Sequence, residues 1–308
     1  MINKLTYCKI CVILVLSVLG GVFSVANSNG ENILVVSDLD GTLLNNNAEI
    51  SWVTSFKLNS LIEDSGMFFS VATARTWASC KRILSPIRLR LPIILMNGVL
   101  IFDPKLKKYD VVNRLDGGMK YRVDRLCTKL GVECFMYTLF KGEMNTYYRK
   151  LATPAMKDFY EERRNKYYKS FTQIDHFERI NSDVIYFTFL DSKEKLQAVY
   201  DELSSNPEVN MTFYKDIYTD DLWYLEIFSS SASKKNGVLY LKDYCGFDKV
   251  VGIGDNLNDM SMLEACDETV CVANACDELK EYCQLTIGKN TDDAVANYLY
   301  DRFGKDNN

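Results

Sequence analysis

The sequence predicts an α/β protein, a Rossmann-like doubly wound parallel sheet interrupted by an inserted α+β domain. Three observations carry this. Short, continuously apolar runs alternate with amphipathic stretches at both ends of the chain, the pattern of parallel strands covered on both faces. The middle breaks that pattern, being rich in Tyr, Phe, Lys and Arg. Finally, 308 residues is the length of about two domains at ~150 residues each. Hydrophobic residues at 47% and charged residues at 25% fit a foldable chain rather than a disordered one.

In chain order, residues 1–26 stand apart. They carry Lys4 and Lys9, no acid, an apolar run from Ile10, and the small residues Ser24 and Ala26 before a polar stretch. This is the pattern of a secretory signal peptide cleaved after Ala26. An uncleaved membrane anchor or organellar leader is the alternative, because Ile10 to Val25 is only slightly short of a span of ~20 residues. The expected location is therefore the secretory pathway, with a membrane as partner only if the segment is retained.

Ile33 to Val36 then reads as a buried strand, Ile50 to Asp64 as a helix and Met67 to Ala72 as a strand. Ala78 to Leu84 reads as a helix and Ile93 to Met96 as a third strand. Residues 113–220 form the expected inserted domain, in which Val184 to Phe189 mixes polar and apolar faces like a half-exposed antiparallel strand. The α/β pattern resumes with strands at Lys249, Val270 and Leu285 and helices at Asp259–Cys266 and Asp277–Tyr282. The expected division is thus a core of 32–112 and 221–302 around a domain of 113–220.

Composition narrows the chemistry. His176 is the only histidine, so no His-based triad or His-rich zinc site can be built, and acid/base work falls to carboxylates, Lys, Cys or Tyr. Cys8 and Cys11 lie in the leader, and none of the other eight cysteines forms a CxxC pair, which disfavours a zinc ribbon. Their apolar settings suit buried free thiols. The net charge of −5 argues against nucleic acid as a partner.

Four polar clusters end predicted elements. The first strand runs into Asp38-Leu-Asp-Gly-Thr-Leu-Leu44, where Leu39 separates two carboxylates, Asp38 and Asp40, that can face one crevice. Gly41 allows a sharp turn there. The second strand ends in Thr73-Ala74-Arg75, and Ser233-Lys234 opens a helical stretch, where an ammonium and a helix N-terminus can face an anion. Gly252 to Asp259 ends a further strand with Asp255, Asn258 and Asp259. Singly, Thr73 is explained as a helix cap, Lys234 as solvated charge and Asp255 as a loop acid; four such clusters in this order point to one site.

With these motifs, together with Met96-Asn-Gly98 and Val272-Ala-Asn-Ala-Cys-Asp-Glu-Leu-Lys280, the chain resembles the haloacid dehalogenase superfamily. Within it, the likeness is to the Cof-type phosphatases with a type IIB cap, over residues 33–300. It departs from the usual pattern in carrying Lys235 where a Gly usually follows the motif Lys, and Thr-Ala-Arg where Thr-Gly-Arg is commoner.

The resemblance implies a two-step phosphoryl transfer: Asp38 attacks phosphorus, and Asp40 protonates the leaving oxygen and then activates water. It implies Mg²⁺ held by Asp38, Asp255 and the Asp40 carbonyl. Leu39, Thr73, Ala74, Arg75, Lys234 and Asn258 would bind the phosphoryl group or the substrate, while Asp259 would orient Lys234 or a metal-bound water. The substrate implied is a small phosphorylated metabolite, and within that class a sugar phosphate. The inserted domain would be the cap, with Phe135, Tyr137, Tyr147, Tyr148, Arg149, Tyr160 and Arg163 as candidates for its inner face. A phosphohexomutase-like or nucleotide-directed enzyme is the alternative on the same core, and a silent binding protein the non-enzymatic one.

Overall fold

The computed structural model describes residues 32–216, 219 and 221–304. The expected leader, 1–26, lies outside the described residues. Among those described, no helix is long and apolar enough to cross a membrane, and the eight cysteines are free thiols.

Ile33–Ser37 (β1) is buried at every position, as a strand covered on both faces must be. Trp52–Glu63 (α1) follows, capped by Ser51, whose hydroxyl accepts from the Thr54 N–H at 2.9 Å. Next come Phe68–Val71 (β2), Trp77–Leu84 (α2) and an antiparallel trio, Ile93–Leu95 (β3), Leu100–Asp103 (β4) and Lys108–Val112 (β5). A single parallel bridge between Ala72 and Ile94 ties this trio to β2. The chain then crosses over: the Asn113 N–H still bonds Val99, whereas the Leu115 N–H bonds Val184 of the second sheet.

The inserted unit contains Met119–Leu130 (α3), Cys134–Phe140 (β6), Glu143–Tyr148 (β7), Pro154–Tyr167 (α4) and Phe171–Gln173 (β8). It continues with Asp183–Asp191 (β9), Lys193–Leu203 (α5), Val209–Lys215 (β10) and Trp223–Ser229 (β11). Its sheet runs β10-β11-β9-β6-β7-β8, antiparallel except between β7 and β8. Two expectations are corrected here. The boundary expected at 220/221 falls inside this unit, because β11 pairs with β9 and β10 and places Leu225 and Ile227 in the unit's own core. The chain returns at Ala232, which packs into the larger core. The strand at 184–189 is not half-exposed either. It is central, with Phe187 and Phe189 packed among residues of α3 and α5 and Ile185 and Leu190 joining the larger core cluster.

The last stretch is Lys234–Cys245 (α6), Lys249–Gly254 (β12), Met260–Leu263 (α7), Glu268–Cys271 (β13), Asp277–Tyr282 (α8), Leu285–Thr286 (β14) and Ala294–Phe303 (α9). Five strands make the parallel core sheet in the order β14-β13-β12-β1-β2. The carboxyl ends of β1, β2 and β12 thus lie side by side, the place where open α/β sheets bind ligands.

Candidate active site

Asp38 follows β1 directly and stays locked to the sheet, its N–H donating to the Ile253 carbonyl at 2.9 Å. The chain then leaves the strand in a tight turn closed by the Leu44 N–H on the Leu39 carbonyl, with Gly41 at φ +79°. Gly41 is required twice over. The left-handed backbone disfavours a side chain, and a Cβ there would sit 2.4 Å from Asp255 Oδ2. Thr42 on the same turn donates its hydroxyl to Asp255 Oδ1 at 2.9 Å, joining the first and last motifs.

Lys234, at the start of α6, is the hub. Its ammonium donates to Asp38 Oδ1 at 2.5 Å and to Asp259 Oδ1 at 2.6 Å, and all three side chains are buried. Lys235 points elsewhere and pairs with Glu264 on the surface, so Lys234 is the lysine of the site. The Met96-Asn97-Gly98 turn supports this placement. At Gly98, with φ +93°, a Cβ would lie 2.1 Å from the Ser233 carbonyl oxygen, so only glycine lets this turn press against the residue before Lys234.

Carboxylate oxygens of Asp38, Asp255 and Asp259 lie within 4.8 Å of one another. Burial and the charges of Asp259 and Asp255 push the Asp38 carboxyl well above its ordinary range, against the pull of Lys234. Burial and Asp259 push Asp255 up to about 6. Burial opposes the charge on Lys234, yet Asp259 and Asp38 outweigh it and raise its pKa. Three crowded carboxyls against one ammonium, all hard oxygen donors, fit a divalent cation such as Mg²⁺. Asp259 is the least available ligand: Oδ1 holds Lys234, while Oδ2 accepts from the N–H groups of Asp255 and Asn256 at 3.0 and 3.2 Å.

Asp40 and Arg75 are placed differently from expectation. Asp40 does not share the acidic crevice. It is half exposed, and its carboxylate takes a fork from Arg75, Nε–Oδ2 2.7 Å and Nη2–Oδ1 2.6 Å. The turn at Leu39 to Leu43 replaces the extended strand that would have aligned the two aspartates. The Arg75 guanidinium, expected as a phosphate contact, matches this carboxylate as a planar fork, and Asp40 raises its pKa against the effect of burial. Thr73 is buried, with its N–H on Ile94 and its hydroxyl accepting from the Arg75 N–H at 3.1 Å. Leu39 is buried, whereas Ala74 and Asn258 are exposed.

The inserted unit faces this site across a cavity of ≈ 90 Å³, to which Ala74, Thr76 and Met96 contribute from the core. Of the residues expected on its inner face, Tyr137 and Arg163 line it. Arg149 instead forks onto Glu133 and reaches Asp124, which also accepts from His176 Nδ1 at 3.2 Å. Phe135, Tyr148 and Tyr160 pack in an aromatic cluster with Phe171, and Tyr147 packs against the inserted unit's core. Sequence reasoning missed Glu226 and Tyr186, which also line the cavity. A lone acid within the apolar run Trp223-Tyr-Leu-Glu-Ile-Phe was the available signal for the first.

Lys169, just beyond α4, is held down to about 7 by burial and by the guanidinium groups of Arg163 and Arg75, with Cys80 and Glu162 opposing. A base with a lowered folded pKa binds fewer protons in the folded chain than in the unfolded one. Its cost to stability is therefore full below pH 7 and fades as pH rises toward the ordinary lysine value of 10.5. Lys169→Met is expected to raise the urea midpoint most below pH 7 and by progressively less toward pH 10. An increment independent of pH would show that the ammonium is not under this stress.

Residues 35–299 match the sequence pattern of the haloacid dehalogenase-like hydrolase family. A Bacillus subtilis protein named 5-amino-6-(5-phospho-D-ribitylamino)uracil phosphatase YitU is 24% identical over 273 residues, which are 88% of this chain and 97% of that one. Phosphatase YwpJ of the same organism is 25% identical, covering 86% and 98%. Among solved structures, a haloacid dehalogenase-like hydrolase from Bacteroides thetaiotaomicron superposes with TM-score 0.73 at 21% identity, covering 88% of this chain and 99% of that one. A structure described as a subclass IIB sugar phosphatase superposes with TM-score 0.66 at 18% identity, covering 87% and 98%.

Proposed function

Because the chain belongs to the haloacid dehalogenase-like hydrolases, we propose that it hydrolyses a small sugar phosphate, with Asp38 as nucleophile and Mg²⁺ as cofactor. It is a phosphatase, an enzyme acting on phosphate monoesters. The observation that carries this proposal is the buried Asp38 at the end of β1, bonded to Lys234 and flanked by Asp255.

The Asp38 carboxylate forms a bond to phosphorus as the bond to the leaving oxygen breaks, and that oxygen takes its proton from Asp40. Water then attacks the same phosphorus, Asp40 takes the water proton, and Asp38 is released with phosphate. For both proton transfers the Asp40 side chain must turn from Arg75 toward the reacting oxygen, so Arg75 positions the acid between turnovers. Lys234 and Thr73 balance phosphoryl charge, and Asp259 keeps Lys234 in place. Asp38, Asp255 and the Asp40 carbonyl would hold Mg²⁺, which supplies positive charge against the transferring group. Placement in the secretory pathway belongs to the same proposal and rests on residues 1–26 alone.

The test is phosphate release from p-nitrophenyl phosphate and a panel of sugar phosphates. EDTA-treated protein is expected to be inactive and added Mg²⁺ to restore turnover. Activity indifferent to EDTA would remove the metal from the proposal.

A further inference from the structure

The cavity between core and cap opens beside Ala74, the residue between Thr73 and Arg75. Its cap side holds an unusual pair. Tyr186 on β9 is 2% exposed, and its hydroxyl has no hydrogen-bond partner among the described residues. Glu226 on the neighbouring β11 interacts with that hydroxyl from outside hydrogen-bond geometry, while its Oε2 accepts from the Thr212 hydroxyl at 2.9 Å. Buried polar groups are ordinarily paired, so a phenol left unpaired on a cavity wall points to a ligand. We propose that Tyr186 and Glu226 determine specificity by taking one hydroxyl of an uncharged, polyhydroxylated leaving group. The inference rests on the phosphatase reading above and deepens it.

The chemistry selects the group. An ionised carboxylate only accepts, and a phenol beside it is free to donate. A hydroxyl can accept from Tyr186 and donate to Glu226 at once, whereas an ammonium only donates. A carboxylate or second phosphate only accepts and would meet Glu226 as a like charge. Arg163 is the other charged group on the lining, but one of its nitrogens already bonds Glu162 at 2.8 Å and its guanidinium lies over the Phe159 ring.

The experiment compares kcat/KM for erythrose phosphate and ribose phosphate with kcat/KM for p-nitrophenyl phosphate, which offers no hydroxyl. In Tyr186→Phe and Glu226→Gln, each close in shape to the native residue, the ratio of the first to the second is expected to fall at least about tenfold. Wild-type protein should also prefer ribose phosphate to phosphoglycerate. A ratio unchanged in both variants, or equal wild-type turnover of phosphoglycerate, overturns the pair while p-nitrophenyl phosphate hydrolysis still upholds the phosphatase. Wild-type protein inactive on every phosphate ester overturns both readings together.

Discussion

Asp38→Asn should lower kcat for phosphate release by about 10⁴-fold or more, the scale on which removal of a nucleophile is felt. The change keeps the shape of the side chain and removes only the oxygen that must bond to phosphorus. The fold should survive it. Burial, Asp259 and Asp255 already work against a charge at Asp38, so a neutral amide relieves repulsion, and Lys234 keeps Asp259 as its counterion. The metal-free variant is therefore expected to match or exceed wild type in urea midpoint while losing turnover. Retention of more than about one per cent of wild-type kcat would exclude Asp38 as nucleophile.

Lys234→Met should have the largest effect on stability. It removes the one ammonium that bridges two buried carboxylates. Removing one partner of a buried ion pair typically costs about 3–5 kcal/mol, since the remaining charge stays desolvated and unpaired. Urea denaturation should show this as a lower midpoint with an unchanged slope. Added Mg²⁺ should recover part of the loss, because it offsets the same carboxylates. Lys235→Met is the control: its exposed pair with Glu264 predicts a change within about 1 kcal/mol. Equal losses in the two variants would refute the assignment of Lys234 as the buried hub.

The parts of the site legible in the sequence were those in which local chemistry and position coincide. Asp38, Thr73, Lys234 and Asp255 each stand where an apolar run gives way to polar residues or a helix begins, and parallel strands bring such ends together. Sheet membership was less legible. The run Trp223 to Ser229 is apolar enough for either sheet, and periodicity carries no information about which neighbours it finds. The Arg75 fork on Asp40 depends on a turn whose exit direction spacing alone does not specify. Gly98 looked like one residue of a motif, while its close approach to Ser233 is a contact between segments far apart in the chain. Tyr186 escaped notice because its strand was read as half-exposed, where a tyrosine needs no partner.

The interrupted core has a consequence for the order in which the molecule is made. The inserted unit is continuous in sequence, from about Leu115 to Ser229, so its pairings are available as soon as that stretch has left the ribosome. The strand carrying the nucleophile is not so placed. Although β1 precedes the inserted unit, one of its two neighbours is β12, which follows it, and such distant pairings are slow to form. Asp255 and Asp259 arrive later still. The acidic cluster therefore assembles only after Asp259 has left the ribosome, and a chain cut short of it carries no competent site.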